Sequence, residues 1–398
     1  MDRGRASRRR RYSDALKGLG PWTVAGALTF AASIAWLIAA IGEEAPRALR
    51  FEHALSDFRT ALLSDRRPTQ HPRIAVVLID ERTLRKAPYS SPIDRGLLAR
   101  LVTRIDALGA KAIGVDISFY KPTEPAKDEA MIQALLGARA RVVMAAGDRR
   151  SDIDAEERAF QAELLRRVRR QAGYVNLDRD RDDVTRWKLP PASETEFPRS
   201  FAELVAEIDG RFDTDRRGRI AWLKRALDGS DAFFSVNADD LIGAAPISAV
   251  EPLLRGRLVL IGGRFADRDR HRVPLFADDS ENQSNQIHGV FLHAHKIAQI
   301  LDGRTVRELP HVPVVLTIAF FGFCLGWVFH AGGFSWLVGG GATVLLIAVD
   351  LVLFWQLRRI LPYTPATIAW FGAAMAGYLT ARLTHRIGRA RHRQEEAT

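Results

Sequence analysis

Two aspartates stand at the ends of predicted strands that follow each other closely along the chain. Asp80 ends the apolar run IAVVLID, and Asp116 lies near the end of AKAIGVDISFY. Because open parallel sheets bind ligands at the carboxyl edge of their strands, we expect both carboxylates at one edge, with Arg95 at the start of the intervening helix. This set could bind a cationic or hydroxylated small molecule, or hold a divalent ion through oxygen ligands. In the alternative, structural interpretation, the carboxylates cap helices and pair with arginines such as Arg59.

A second candidate region for a ligand lies later in the chain. Asp269 and His293 complete the set of candidate ligand-binding residues, and the site is expected around Gly262, Asp269 and His293 if the two carboxylates above serve only the fold. His293 and His295 also suggest zinc, but helical ligand pairs sit three or four residues apart, and residues two apart point to different faces. We therefore predict packed or hydrogen-bonded histidines, no metal and no other cofactor.

The remaining motifs argue against catalysis. Cys324 is the single cysteine, which excludes an intramolecular disulfide framework, a cysteine-based zinc site and a cysteine nucleophile in the soluble part. Glycines 339–341 lie in an apolar run without the Lys-Ser/Thr of a phosphate loop, so we predict that they allow close helix packing. The GxSxG, HExxH and kinase signatures are absent. The sequence therefore predicts a protein that is not an enzyme, and an extracytoplasmic enzyme using a carboxylate pair is the least favoured alternative.

Alternating strands and helices must position these residues. Runs such as IAVVLID, AKAIGVDISFY, RVVMAAG and RLVLIGG are continuous and apolar, which is typical of strands covered on both faces. Helical spacing of apolar residues marks RGLLARLVTRIDALG, which Asp94 can cap and Gly109 can end, and HGVFLHAHKIAQILDG. The sequence therefore predicts one α/β domain over residues 43–308, with a mostly parallel or mixed sheet flanked by helices.

Long apolar runs predict a membrane protein. Residues 18–42 hold no charged side chain, and neither do the 41 residues from 309 to 349. About 20 apolar residues cross a hydrocarbon core of about 30 Å, whereas buried helices of soluble proteins have shorter apolar runs. We predict one N-terminal and three C-terminal transmembrane helices, near residues 22–41, 311–330, 334–357 and 363–382. The first run could instead be a cleaved signal peptide, but its length favours an uncleaved anchor.

The basic charge of the chain lies at its ends. The sequence holds 58 Lys and Arg against 47 Asp and Glu, a formal net charge of +11. Residues 1–20 carry seven basic side chains and the tail from Arg382 carries five, whereas the body is nearly balanced. This distribution argues against a nucleic-acid partner, because phosphates must be neutralised by the folded body. It also predicts that the basic tails, 1–20 and 383–398, are cytoplasmic and that residues 43–308 lie outside.

Three charged residues lie within or beside the last two predicted spans. Arg358 and Arg359 fall outside in this topology, but two charges do not overturn the twelve at the termini. Asp350 lies towards one end of the third span, where it could reach the interface or pair with Arg358.

Several runs together resemble the CHASE2 domain, the extracytoplasmic sensory module of bacterial transmembrane receptors. The resemblance covers about residues 50–305, and the three closely spaced spans that follow also suit the family. It rests on SDFR, IAVVLIDE, the Asp-Arg pair that opens a helix, GAKAIGVDISF, GRLVLIGG with a following Asp269 and Pro274, and HGVFLHAHKIAQILDG. Two positions depart from the family pattern: APYSSPID replaces a tryptophan- and proline-rich turn before Arg95, and His295 replaces an asparagine.

The resemblance implies a sensor in the bacterial inner membrane that binds an unknown small molecule and signals through its transmembrane helices. Family members usually continue into a histidine kinase, a serine/threonine kinase or a nucleotide cyclase, whereas only 16 residues follow Arg382 here. We therefore expect no output domain, a cytoplasmic kinase, cyclase or regulator acting in trans, and association as a homodimer. The alternative from another class is an envelope scaffold or accessory membrane subunit that binds no ligand.

Overall fold

The computed structural model describes residues 46–395, except 90, 244–246, 267, 276–284 and 330–335. The predicted first span at 22–41 and the basic segment 1–20 lie outside the described residues. The chain divides into two compact units, one of residues 60–306 and one that joins the segment up to Arg59 to the segment from Arg307.

Strands and helices alternate along the body, as the sequence predicts. The strands are β1 (Ile74–Asp80), β2 (Ala112–Asp116), β3 (Arg141–Ala146), β4 (Gln171–Tyr174), β5 (Phe234–Asn237), β6 (Leu258–Arg264), β7 (Arg270–Arg272), β8 (Gln286–His288), β9 (Arg307–Glu308) and β10 (Arg359–Ile360). The helices are α1 (Pro46–Leu63), α2 (Glu81–Leu84), α3 (Arg95–Ala107), α4 (Pro125–Gly137), α5 (Ala155–Val168), α6 (Phe201–Glu207), α7 (Ala238–Ile242), α8 (Ile247–Leu254), α9 (Gly289–Asp302), α10 (His311–Val328), α11 (Trp336–Leu357) and α12 (Tyr363–Glu395).

The body is built on a parallel sheet of six strands in the order β4-β3-β2-β6-β1-β5. The predicted α/β class and the mostly parallel sheet are thus confirmed. The late strand β6 lies between β1 and β2, and it pairs with both of them over their whole lengths. A separate antiparallel pair of β7 and β8 stands just before α9.

Helices cover both faces of this sheet. All seven residues of β1 are buried, and because strand side chains alternate between faces, β1 feeds two cores. Ala75, Val77 and Ile79 pack into a core that includes α3, α4 and α5. Ile74, Val76 and Leu78 pack into a core that includes α6 and α9. The apolar runs of the sequence are continuous for this reason.

Polar residues fix the helix ends as predicted. The Asp94 side chain accepts a hydrogen bond from the Leu97 backbone N–H at 2.8 Å and caps α3. Gly109 follows this helix with a left-handed φ of 76°, and Gly303 ends α9 with a φ of 64°. Glycine adopts this backbone region without strain, so both positions are natural helix stops.

One described helix, α10, is long and apolar enough to cross a membrane, and Gly341–Leu357 within α11 is a shorter apolar stretch. The predicted spans 311–330 and 334–357 correspond to α10 and α11, and 363–382 corresponds to the first part of α12. That helix continues to Glu395, so the predicted tail 383–398 is helical over most of its length.

Glycines bring α10 and α12 into close contact. A Cβ at Gly326 or Gly377 would clash with the backbone carbonyl of Ala374 or Phe323, and at Gly322 it would lie 2.8 Å from the Trp370 carbonyl oxygen. The sequence predicts such packing for glycines 339–341. At Gly341, the one of these three whose surroundings are described, no heavy atom lies within 4 Å of the Cβ position, so the prediction is wrong at this residue.

Asp350 forms a buried ion pair with Arg59 rather than with Arg358. Arg59 Nη1 donates to Asp350 Oδ2, and both side chains are 1% exposed. Asp350 Oδ1 also accepts a hydrogen bond from the Leu361 backbone N–H at 3.0 Å. Arg358 is a candidate partner of Asp350 because it is close in sequence. The observed partner, Arg59, lies in α1, 291 residues away along the chain.

Candidate ligand-binding site

Helix α9 carries several candidate functional residues and is buried on nearly every side. Twelve of its fourteen residues are buried, and Gly262 of β6 lets it approach the sheet: a Cβ there would lie 2.5 Å from the Val290 Cβ. Residues three and four apart share a helical face. His293, Lys296 and Ile300 therefore form one stripe, and all three line a cleft.

The cleft lies between α9, β4 and α6 and their connecting segments. The cleft is narrow and has room for about one water molecule among its side chains. Its lining residues are Tyr174, Asn176, Lys188, Leu189, Ser200, Ala202, Glu203, Asp213, Arg216, His293, Lys296 and Ile300.

Lys296 is the most unusual of these side chains. It is only 6% exposed, and its amine has no hydrogen bond and no ion pair within 4 Å among the residues that the structure describes. Burial, together with the nearby charge of Lys188, lowers the pKa of Lys296 to about 8, although Asp116, Asp178 and Asp213 act in the opposite direction. Buried charges are normally paired, so an unpaired ammonium on a cleft wall is a candidate binding group.

The other charged groups of the lining are paired with one another. Lys188 Nζ lies 2.8 Å from Asp213 Oδ2, and Arg216 Nε lies 2.6 Å from Glu203 Oε1. Glu203 also accepts from the Ser200 backbone N–H at 2.7 Å in a capping box that starts α6.

His293 and Asp116 meet beneath the cleft. His293 Nε2 lies 3.8 Å from Asp116 Oδ1, and the imidazole packs edge-on against Phe201 with ring centroids 5.3 Å apart. Burial raises the pKa of Asp116 well above its usual range, and Asp269 raises it further. Burial also lowers the pKa of His293 well below its usual range, with added effects of Lys296 and His271.

Asp269 fixes the start of α9. It adopts a left-handed φ of 54°, and its carboxylate accepts from the Gly289 backbone N–H at 3.2 Å. The other oxygen lies 2.9 Å from His271 Nε2. Asp269 therefore holds the helix that carries His293, and its charge acts on Asp116. The structure thus brings together three of the five predicted site residues: Asp116, Asp269 and His293.

Asp80 serves the fold. Its Oδ1 accepts from the Thr83 backbone N–H at 2.9 Å and from the Thr83 hydroxyl at 3.0 Å, which caps α2. Burial raises the pKa of Asp80, but the Thr83 hydrogen bonds and Arg264 outweigh it and leave the pKa below its usual value. Arg264, not Arg59, is its ion-pair partner, at 3.7 Å. Because β6 separates β1 from β2, Asp80 and Asp116 share an edge but are two strands apart, about 10 Å.

Arg95 is also structural. Its guanidinium lies 4.4 Å from the centre of the Phe119 ring and donates to the Ile93 and Lys121 carbonyl oxygens at 3.3 Å. Asp128 lies 3.6 Å from its Nε. It holds the segment after β2, and its described contacts include neither Asp80 nor Asp116.

His295 is a packed histidine, as predicted. Its ring stacks edge-on between Trp222 and Phe233, with centroids 5.1 Å and 4.9 Å away. Its Nδ1 lies 3.3 Å from the Leu223 backbone nitrogen and accepts that hydrogen bond. Burial lowers the pKa of His295 to about 3, so the ring is neutral at physiological pH.

Sequence reasoning missed Lys296 and the paired lysine Lys188. A signal for Lys296 existed: it is a single charged residue within the apolar part of HGVFLHAHKIAQILDG, three positions after His293 and therefore on the same helical face. Lys188 and Asp213 lie in irregular segments far from α9 in sequence, and no local pattern connects them to it.

Comparison with known families adds one result. The family model of the CHASE2 domain matches residues 31–332. Neither the comparison with curated proteins nor that with solved structures gives a significant match.

Proposed function

Because the chain belongs to the CHASE2 family of extracellular sensory domains, we propose that residues 43–308 form an extracytoplasmic sensor that binds a small polar molecule at the Lys296 cleft. The observation that carries this proposal is the buried ammonium of Lys296, which faces a cleft without a partner among the described residues. An unpaired buried charge destabilises a fold, and groups with a strongly shifted pKa in a cleft are typical of binding sites.

The proposed setting is the bacterial inner membrane, with four spans and both termini in the cytoplasm. The apolar helix α10 and the family membership support a membrane-bound sensor. Twelve basic residues in the two terminal segments favour a cytoplasmic location for both ends.

A route for the signal follows from chain connectivity. Helix α9 ends at Gly303, and the chain enters β9 at Arg307 and α10 at His311. A ligand that binds one position of α9 better than another would shift the population of that position. We propose that a cytoplasmic kinase, cyclase or regulator reads this shift, that two copies associate, and that the chain itself neither catalyses a reaction nor binds nucleic acid.

The test is a thermal-shift screen of the full chain in nanodiscs against small carboxylates, amines, sugars and neutral amides. The variant Lys296→Met removes the charge and keeps the length of the side chain. The matched control is Lys121→Met, which makes the same change at a side chain that is 70% exposed. We expect stabilising compounds that act on the wild type and the control but not on Lys296→Met. Equal stabilisation of all three proteins would overturn the Lys296 cleft as the binding site, and the absence of any stabilising compound would favour a scaffold that binds no ligand.

A further inference from the structure

The charges of the cleft lining do not balance. Three cations line it, Lys188, Arg216 and Lys296, against two carboxylates, Glu203 and Asp213. Each carboxylate is engaged by one of the first two cations at 2.6–2.8 Å. Within the lining, one positive charge therefore remains, and it is that of Lys296.

Two further carboxyl groups, Asp116 and Asp178, act on Lys296 without a close ion pair. Asp116 lies behind His293, and its raised pKa favours the uncharged acid. Asp178 acts on Lys296 at longer range, and burial and Asp180 raise its pKa as well. Neither carboxyl group forms an ion pair with Lys296 within 4 Å in the part of the chain that the structure describes.

The size of the cleft limits the ligand as well. Space for about one water molecule admits a single small polar group while the rest of a ligand stays at the mouth. At the mouth, Arg216 is 45% exposed, and its guanidinium is held by Glu203. A group with two negative charges would exceed the single positive charge of Lys296 that the lining leaves unpaired.

Resting on the sensor function proposed above, we infer that the cleft binds the carboxylate of a small monoanionic molecule, with the Lys296 ammonium as its charge partner. A carboxylate offers one charge and two acceptor oxygens to an ammonium that has three N–H donors. Charge-assisted hydrogen bonds of this kind are the strong ones. The ligand carboxylate is thus the ion-pair partner that Lys296 lacks among the described protein groups.

The experiment compares carboxylates with their uncharged amides on the full chain in nanodiscs, at equal sodium concentration. The probes are acetate with acetamide, lactate with lactamide and benzoate with benzamide, together with inorganic phosphate. We expect at least one carboxylate to raise the melting temperature while its amide does not. Calorimetry should show that Lys296→Met weakens its binding by about tenfold or more, whereas Lys121→Met leaves it unchanged.

Different failures have different meanings. The ligand class is wrong if the amides or phosphate stabilise the protein as well as the carboxylates, or if no carboxylate stabilises it. The sensor proposal survives those results if another compound of the wider screen depends on Lys296. Carboxylate binding that is equally strong in Lys296→Met would overturn the site itself.

Discussion

At the scale of single residues, the burial of Lys296 lowers the stability of the fold. A pKa that falls from 10.5 in the unfolded chain to about 8 in the fold corresponds to about 3 kcal/mol of lost stability below pH 8. Lys296→Met should therefore raise the free energy of unfolding of the ligand-free protein at pH 7, by up to this amount. Denaturant unfolding of both proteins in the same detergent would measure the difference.

The pH dependence gives an independent check on Lys296. Between pH 8 and 10.5 the unfolded chain holds the lysine proton and the fold does not, so wild-type stability should rise with pH in this window. Lys188, Asp116, Asp178 and Asp213 also act on this pKa, but they remain in Lys296→Met. A variant that shows the same rise would mean that another group causes it.

His295 should make the fold sensitive to acid. Its pKa is 6.5 in the unfolded chain and about 3 in the fold, so the unfolded state binds more protons between these values and stability falls as pH drops through 6.5. In His295→Asn the amide oxygen can still accept from the Leu223 N–H. We expect a less stable protein at pH 7, by about 1–3 kcal/mol, because the ring contacts with Trp222 and Phe233 are lost. Its stability should depend less on pH between 4 and 6, and an unchanged acid profile would exclude His295 as the cause.

At the scale of elements, glycine decides how closely α10 and α12 pack. Gly326→Ala would drive a Cβ into the Ala374 carbonyl and force the helices apart. Gly341→Ala is the matched control, since its Cβ position is open and alanine favours a helix by about 1 kcal/mol over glycine. Thermal unfolding in detergent should show a lower midpoint for Gly326→Ala and an equal or higher one for the control. Equal effects of the two changes would mean that the close approach does not stabilise the pair.

The buried ion pair between α1 and α11 makes a second prediction at this scale. Asp350→Asn keeps an acceptor for the Leu361 N–H but leaves Arg59 charged and buried, which typically costs about 3–5 kcal/mol. The double variant Arg59→Met with Asp350→Leu removes both charges and should recover most of that loss. The unfolding midpoints of the single and double variants measure this recovery. A double variant that is as unstable as Asp350→Asn would contradict the expected cost of a buried, unpaired Arg59.

Local sequence patterns predict the strands and helices but not which strands lie side by side in the sheet. The runs that became β1, β2 and β6 and the caps at Asp94 and Gly303 are local features, so the sequence indicated them correctly. The position of β6 between β1 and β2 depends on pairing across more than 140 residues, and no window of sequence contains it. Asp80 and Asp116 do lie at one edge of the sheet as predicted, but β6 separates them, whereas Asp116, Asp269 and His293 converge.

At the scale of the whole molecule, orientation in the membrane is the decisive property. We expect alkaline phosphatase fused near Arg150 to be active and a fusion after Thr398 to be inactive, because basic flanks are retained in the cytoplasm. The two fusions serve as controls for each other, provided that both are expressed at similar levels. The reverse pattern of activity would place the Lys296 cleft in the cytoplasm and end the sensor proposal in its present form.

The central position of β6 also determines when the sheet can be completed during synthesis. Strands β1 and β2 leave the ribosome early, but the strand that must lie between them ends at residue 264. Until then the edges of β1 and β2 that face β6 expose unpaired backbone N–H and C=O groups, and a sheet dominated by such distant contacts folds slowly and is prone to aggregation meanwhile. Completion of the sheet must therefore wait until most of the body has been synthesised. If the body is exported, its early strands need protection from premature pairing during transit.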